Sequence, residues 1–157
     1  MDAIQQYASN TVYAPGLTST LSTPNSTDIA AAVTAAKASD EVVLCLGTDL
    51  SSAHEEMDAH NISLPEGQVE LLKQVLAAAT KPIVIVIMTA TPLDISQLLL
   101  NPKVGAVLHA GQPSVQTLGI GDIIFGAKAP AGRLIQTVYP ASYADQVGPQ
   151  SQLCTLG

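Results

Sequence analysis

The chain of 157 residues carries 6 Lys and Arg against 13 Asp and Glu, a formal net charge of −7 with neutral histidines. Hydrophobic residues make up 47% and charged ones 12%, enough apolar side chain for a core and too little charge for an intrinsically disordered chain, and the length fits one ordinary domain. No cluster of Lys or Arg offers the basic footprint that a phosphate backbone needs, and the longest apolar run, 82–88, is far shorter than the ~20 residues of a membrane helix, so neither nucleic acid nor a bilayer is an expected partner.

Up to Asn25 the chain is rich in Ser, Thr, Asn and Pro, with a short extended piece at 10–14 that ends at Pro15-Gly16 and reads as a strand or strand remnant before a loop. Ser26 or Thr27 can cap a helix whose apolar positions Ile29, Ala30, Val33 and Ala36 keep the helical period and which ends near Ser39-Asp40. EVVLCLG, 41–47, is a continuous apolar run closed by Gly, as in a strand buried on both faces. A polar stretch, 48–66, precedes a second helix over 67–79, with Val69, Leu72, Val75 and Leu76 on one face. Lys81-Pro82 stops it and opens the strand IVIVIM, 83–88. A helical turn at 94–100, a third strand at 104–110 and a helix over 114–125 that Gly126 and Pro130 end complete the pattern.

Short, wholly apolar strands alternating with helices imply βαβ crossovers and a mostly parallel sheet. The fold class is therefore α/β, a three-layer sandwich, divided into a strand remnant and loop (1–26), the sandwich itself (27–145) and a polar tail (146–157). In such sheets ligands bind beyond the carboxyl ends of the strands, so the loops after Gly47, Met88 and Ala110 are the ones to examine.

The loop 47–61 holds Asp49, His54, Glu55, Glu56, Asp58 and His60, the main enrichment of titratable groups in the chain. Histidine and carboxylates can ligate metal, but the residue four after His54 is Asp58 rather than a second His, so the metalloprotease spacing is absent and no metal is expected. General acid/base catalysis is the other use, since crowded carboxyls raise one another's pKa as a proton donor near neutral pH requires. A solvated acidic loop with no task is the bland alternative. Elsewhere the signals are weak. Gly119 and Gly121 lie inside a helix and suggest close helix-to-strand packing, not a dinucleotide fingerprint, and no cofactor is implied. His109, at a strand end, can reach a ligand or make a structural hydrogen bond, and Arg133 is read as supporting a turn or a buried carboxylate. Cys45 reads as a buried core thiol and Cys154 as a loose one, with no disulfide expected; Asn25 and Asn61 open glycosylation sequons that matter only in a secreted protein.

Six stretches then follow one another in a familiar order: YAPG (13–16), AAAVTAAKASDEVVLCLGTD (30–49), LPEGQVELLKQV (64–75), KPIVIVIM with TPLDIS (81–96), NPKVGAVLHAGQP (101–113) and IGDIIFGAKAPAGRL with TVYP (120–140). The succession resembles the C-terminal α/β sandwich domain of glycoside hydrolase family 3, in particular its β-xylosidase and α-arabinofuranosidase branch. The resemblance implies a retaining β-glycosidase acting on β-xylosides or β-glucosides, in which a barrel domain supplies an Asp nucleophile and a loop of this domain the acid/base Glu. Retaining chemistry places those carboxyls ~5–5.5 Å apart. Matched by position, the donor is Glu55, two residues before Met57-Asp58, with Glu56 the fallback and Asp58 and His54 as substrate-binding candidates.

Ala53 and Ala59 depart from the family, which carries an acid and a base at those places. The barrel and the first strand of the family domain have no counterpart in the chain, the N-terminus shows no secretory signal although the parent enzyme is expected outside the cell, and the chain alone is expected to be inactive. Aromatic residues are only 3%, with no Trp, one Phe and four Tyr, so few side chains offer a surface on which a sugar face can stack. The implied partners are carbohydrate and a barrel domain, with self-association through the vacated interface. The competing reading is a stand-alone, non-catalytic binding or interaction module with the acidic loop as its contact surface.

Overall fold

The computed structural model of the chain describes residues 1–21, 26–59, 61–113 and 117–147. Helix α1 is Asp2–Gln5, α2 Ser26–Lys37, α3 Glu66–Ala78, α4 Ser96–Leu99, α5 Leu118–Ile124 and α6 Ala144–Val147, the last preceded by a 3₁₀ turn at Ala141–Tyr143. Strands β1 (Val43–Gly47), β2 (Ile83–Met88) and β3 (Val104–Gly111) form one sheet in the order β1-β2-β3, parallel throughout. The α/β class and the parallel sheet flanked by helices are as the apolar runs and crossovers require.

Register explains where the core sits. Leu44 pairs with Ile85 and Leu46 with Ile87, and because side chains alternate, these residues and Ile83 share one face. Ile83, Ile85 and Ile87 are at most 1% exposed and form one cluster with Leu71, Leu72, Val75 and Leu76 of α3 and Ile29 of α2. Burying each such side chain is worth about 1.5–3 kcal/mol, so this face carries most of the stability. At the far end of α3, Lys103 Nζ donates to the carbonyls of Leu76 (2.7 Å) and Ala79 (3.4 Å), closing carbonyls that the helix itself leaves open.

The other face of the sheet carries Val43, Cys45, Val84, Val86, Ala106 and Leu108 by the same alternation. Here the expectation of strands buried on both faces holds for the central β2 and not for its neighbours: Val86 is buried, while Cys45 and Ala106 are exposed. Cys45 is thus not the core thiol its apolar neighbours suggested. Its strand lies at an edge of the sheet, and Cys45 is on the face opposite Leu44 and Leu46. Enough protein still surrounds the sulfur for desolvation to push its thiol pKa up.

Three further expectations change. Residues 10–14 form no strand: Asn10 closes a turn and 11–14 join no ladder, and Pro15, which follows them, has no N–H to give one. Gly121 does pack closely, but against a helix and not a strand: a β-carbon there would lie 1.9 Å from Ala3 O in α1. Arg133 is exposed and pairs with no carboxylate among the described residues. Cys154, Asn25 and the tail beyond 147 lie outside the described residues, and so does the start of the helix expected from 114. No described helix is long and apolar enough to cross a membrane.

Candidate functional site

The acidic loop leaves the carboxyl end of β1 through a tightly held glycine. Gly47 N–H donates to Gln68 Oε1 (2.9 Å), and Gln68 Nε2 donates back to Gly47 O (2.6 Å) and to Thr20 O (3.0 Å). A β-carbon on Gly47 would stand 1.8 Å from Met88 O, so only glycine allows β1 and β2 to approach this closely where they end. One residue on, Thr48 N–H donates to Met88 O (3.1 Å), and the hydroxyls of Thr48 and buried Thr89 share a hydrogen bond of 2.5 Å. The exit of the loop is therefore fixed by backbone and side chain together.

Beyond this point the loop folds on itself. Asp49 accepts from the Ser51 N–H (2.9 Å) and the Ser51 hydroxyl, and Ser52 N–H bonds to Asp49 O (3.0 Å). Asp residues favour such turns because the side chain can close them on the backbone. The Ser51 hydroxyl, then its N–H, and then Thr20 hold the Asp49 carboxyl below its ordinary pKa, the reverse of what crowding among carboxylates predicts. His54 Nδ1 donates to Leu50 O (3.0 Å). His54 and Met57 then exchange backbone hydrogen bonds of 3.0 and 2.9 Å, making Glu55 and Glu56 the two central residues of a tight turn. Glu56 takes the left-handed backbone, φ 71°. The loop regains the body of the protein at Ile62, whose carbonyl accepts from Asp94 N–H (2.7 Å).

The structure thus brings His54, Glu55, Glu56 and Asp58 into one exposed turn and its flank, with Asp49 at the foot of the loop and His60 outside the described residues. Among the described residues no group of three His, Cys, Asp or Glu is placed to hold a metal ion. An open cleft of about 430 Å³ lies beside the loop's exit, lined among others by Thr20, Cys45, Thr48, Asp49, Gln68 and Met88. The carboxyls of the turn do not line it. His109, half-buried in β3 opposite Ile87, makes no ring hydrogen bond among the described residues.

Sequence reasoning missed Gln68 and Asp94. Asp94 receives the N–H of Ser96 (2.8 Å) and of Ala141 (2.8 Å) besides tying its own N–H to Ile62. A signal for Gln68 was present: it falls on the helical stripe that continues through Leu71, Leu72 and Val75, where a polar residue must be either exposed or fully bonded.

With the loop and sheet in place, comparison with known proteins becomes informative. The glycosyl hydrolase family 3 C-terminal domain matches residues 1–153. The chain belongs to this family. Among curated proteins it is 39% identical over 146 residues to the probable beta-D-xylosidase 7 of Arabidopsis thaliana, covering 92% of this chain and 19% of that protein. Among solved structures it resembles a GH3 exo-beta-xylosidase, XlnD, in complex with a xylobiose aziridine activity-based probe (TM-score 0.77, 36% identity, 85% of this chain and 17% of the other). It also resembles the GH3 beta-glucosidase of Bifidobacterium adolescentis (TM-score 0.76, 31% identity, 87% of this chain and 20% of the other). The family 3 domain described here thus spans a fifth or less of the length of these relatives.

Proposed function

We propose that this domain contributes the general acid/base carboxyl to a retaining glycosidase acting on β-xylosides or β-glucosides, with Glu55 as the donor and the nucleophile on a barrel domain. Support comes from family membership, from relatives named as xylosidases and a glucosidase, and above all from the turn. Glu55 stands at the tip of a two-residue turn, exposed, on a loop held at its start by Gln68 and Met88 and at its end by Asp94. A carboxyl so placed is accessible to a sugar that this domain does not itself enclose. In the first step it protonates the departing glycosidic oxygen while the nucleophile attacks the anomeric carbon; in the second, as carboxylate, it takes a proton from the water that releases the sugar. Asp58 and His54 flank it and are the candidates for contact with the substrate.

Replacing the corresponding domain of a related β-xylosidase with this chain tests the reading, with the isolated chain as an inactive control. In that chimera Glu55→Gln lowers turnover of an aryl xyloside by ~10²–10⁴-fold, the usual worth of a positioned acid/base. A larger loss with Glu56→Gln moves the role to Glu56; two fully active variants, or turnover by the isolated chain, overturn the proposal.

A further inference from the structure

Gln68 is the one polar side chain of α3 that is buried, at 3% exposure, and it uses its amide three times: to the N–H of Gly47, to the carbonyl of Gly47 and to the carbonyl of Thr20. Accepting from and donating to the same residue, the carboxamide takes the part of a strand neighbour for the last residue of β1. We propose that Gln68 is a positioning residue for the acidic loop: by holding Gly47 it fixes the direction in which the chain leaves β1, and with it the place of the turn that carries Glu55 and Glu56. The second foot of the loop is the bond from Asp94 N–H to Ile62 O, and between the two feet the described residues hold one another through Asp49–Ser51 and His54–Leu50 hydrogen bonds, with Thr20 beside Ser51. The catalytic meaning of this role rests on the proton-donor reading above; its structural meaning rests on the hydrogen bonds alone.

Amide spectra of the isotope-labelled 157-residue chain test it. In Gln68→Leu the amides of 47–63 shift and exchange about tenfold faster or more, while those of 83–88 in β2 keep their shifts and protection. Unchanged loop amides, or equal losses in loop and sheet, overturn the proposal. Gln68→Glu is a second, independent arm: the ionised carboxylate can only accept, so it keeps the Gly47 N–H and faces the carbonyls of Gly47 and Thr20 without a donor, whereas the protonated acid restores one. Loop amides of that variant follow a titration absent from the unsubstituted chain; no such titration, or loss of the whole fold in both variants, counts against the role. If the loop responds as expected while Glu55→Gln leaves the chimera fully active, the proton-donor reading fails and the placement by Gln68 stands.

Discussion

Asp94 ties three parts of the chain together through its carboxylate and its backbone, and its charge has a measurable consequence. Burial disfavours the ionised form, but the N–H of Ala141, followed by bonds to Ser96, outweighs it and leaves the pKa below the ordinary carboxylate value. A carboxyl depressed in the folded state contributes stability that is present above its unfolded pKa of about 4 and is lost as the pH falls through the folded value. Urea titrations should therefore show stability dropping below about pH 4, with a smaller drop in Asp94→Asn, which cannot protonate in this range; an identical acid limb in both proteins would remove Asp94 from the account. The residues that escaped sequence reading share this character. Gln68 and Asp94 are defined by partners 21 and 47 positions away, set by tertiary packing that no local pattern encodes.

Elements were legible where the apolar period was long. The strand at 83–88 and the helix beginning near Gly67 stand almost where hydrophobic runs and the Lys81-Pro82 break put them, because the run and the period are local properties. Which strand is central is not local: it depends on pairing between residues some 40 positions apart, and for that reason the burial of Cys45 was misjudged while that of Ile85 was not. The same limit applies to the small helices. Nothing in GIGD names its partner, yet α5 packs against α1 through Gly121, with Tyr7 donating to Asp122 (2.7 Å) and stacking on Phe125 at 4.8 Å. Gly121→Ala places a methyl 1.9 Å from Ala3 O and must part the two helices. The expected cost is about 1–3 kcal/mol, as for other overpacked sites, read as a fall in the urea midpoint with loss of the Tyr7 contacts in aromatic spectra. A midpoint equal to that of the unsubstituted chain would show the contact to be slack.

For the molecule as a whole the informative quantity is what remains uncovered. Val12 and Tyr13 are each 70% exposed, Leu100 84% and Ile135 99%, all large apolar side chains open to water. On the reading proposed above, such side chains are ones that a barrel domain would cover. Alone in solution the chain is therefore expected to self-associate, its apparent mass in light scattering rising with concentration; a constant monomer mass up to high concentration would refute this. One last consequence belongs to the turn at the loop's tip. Glu56 holds a left-handed backbone that costs a residue with a β-carbon roughly 1–2 kcal/mol and costs glycine almost nothing. Glu56→Gly should accordingly raise the melting temperature, and a fall would show that the side chain compensates through contacts of its own. With glutamate in place, the fold forgoes resilience at the tip that Glu55 and Glu56 share, a cost carried by a single dihedral angle.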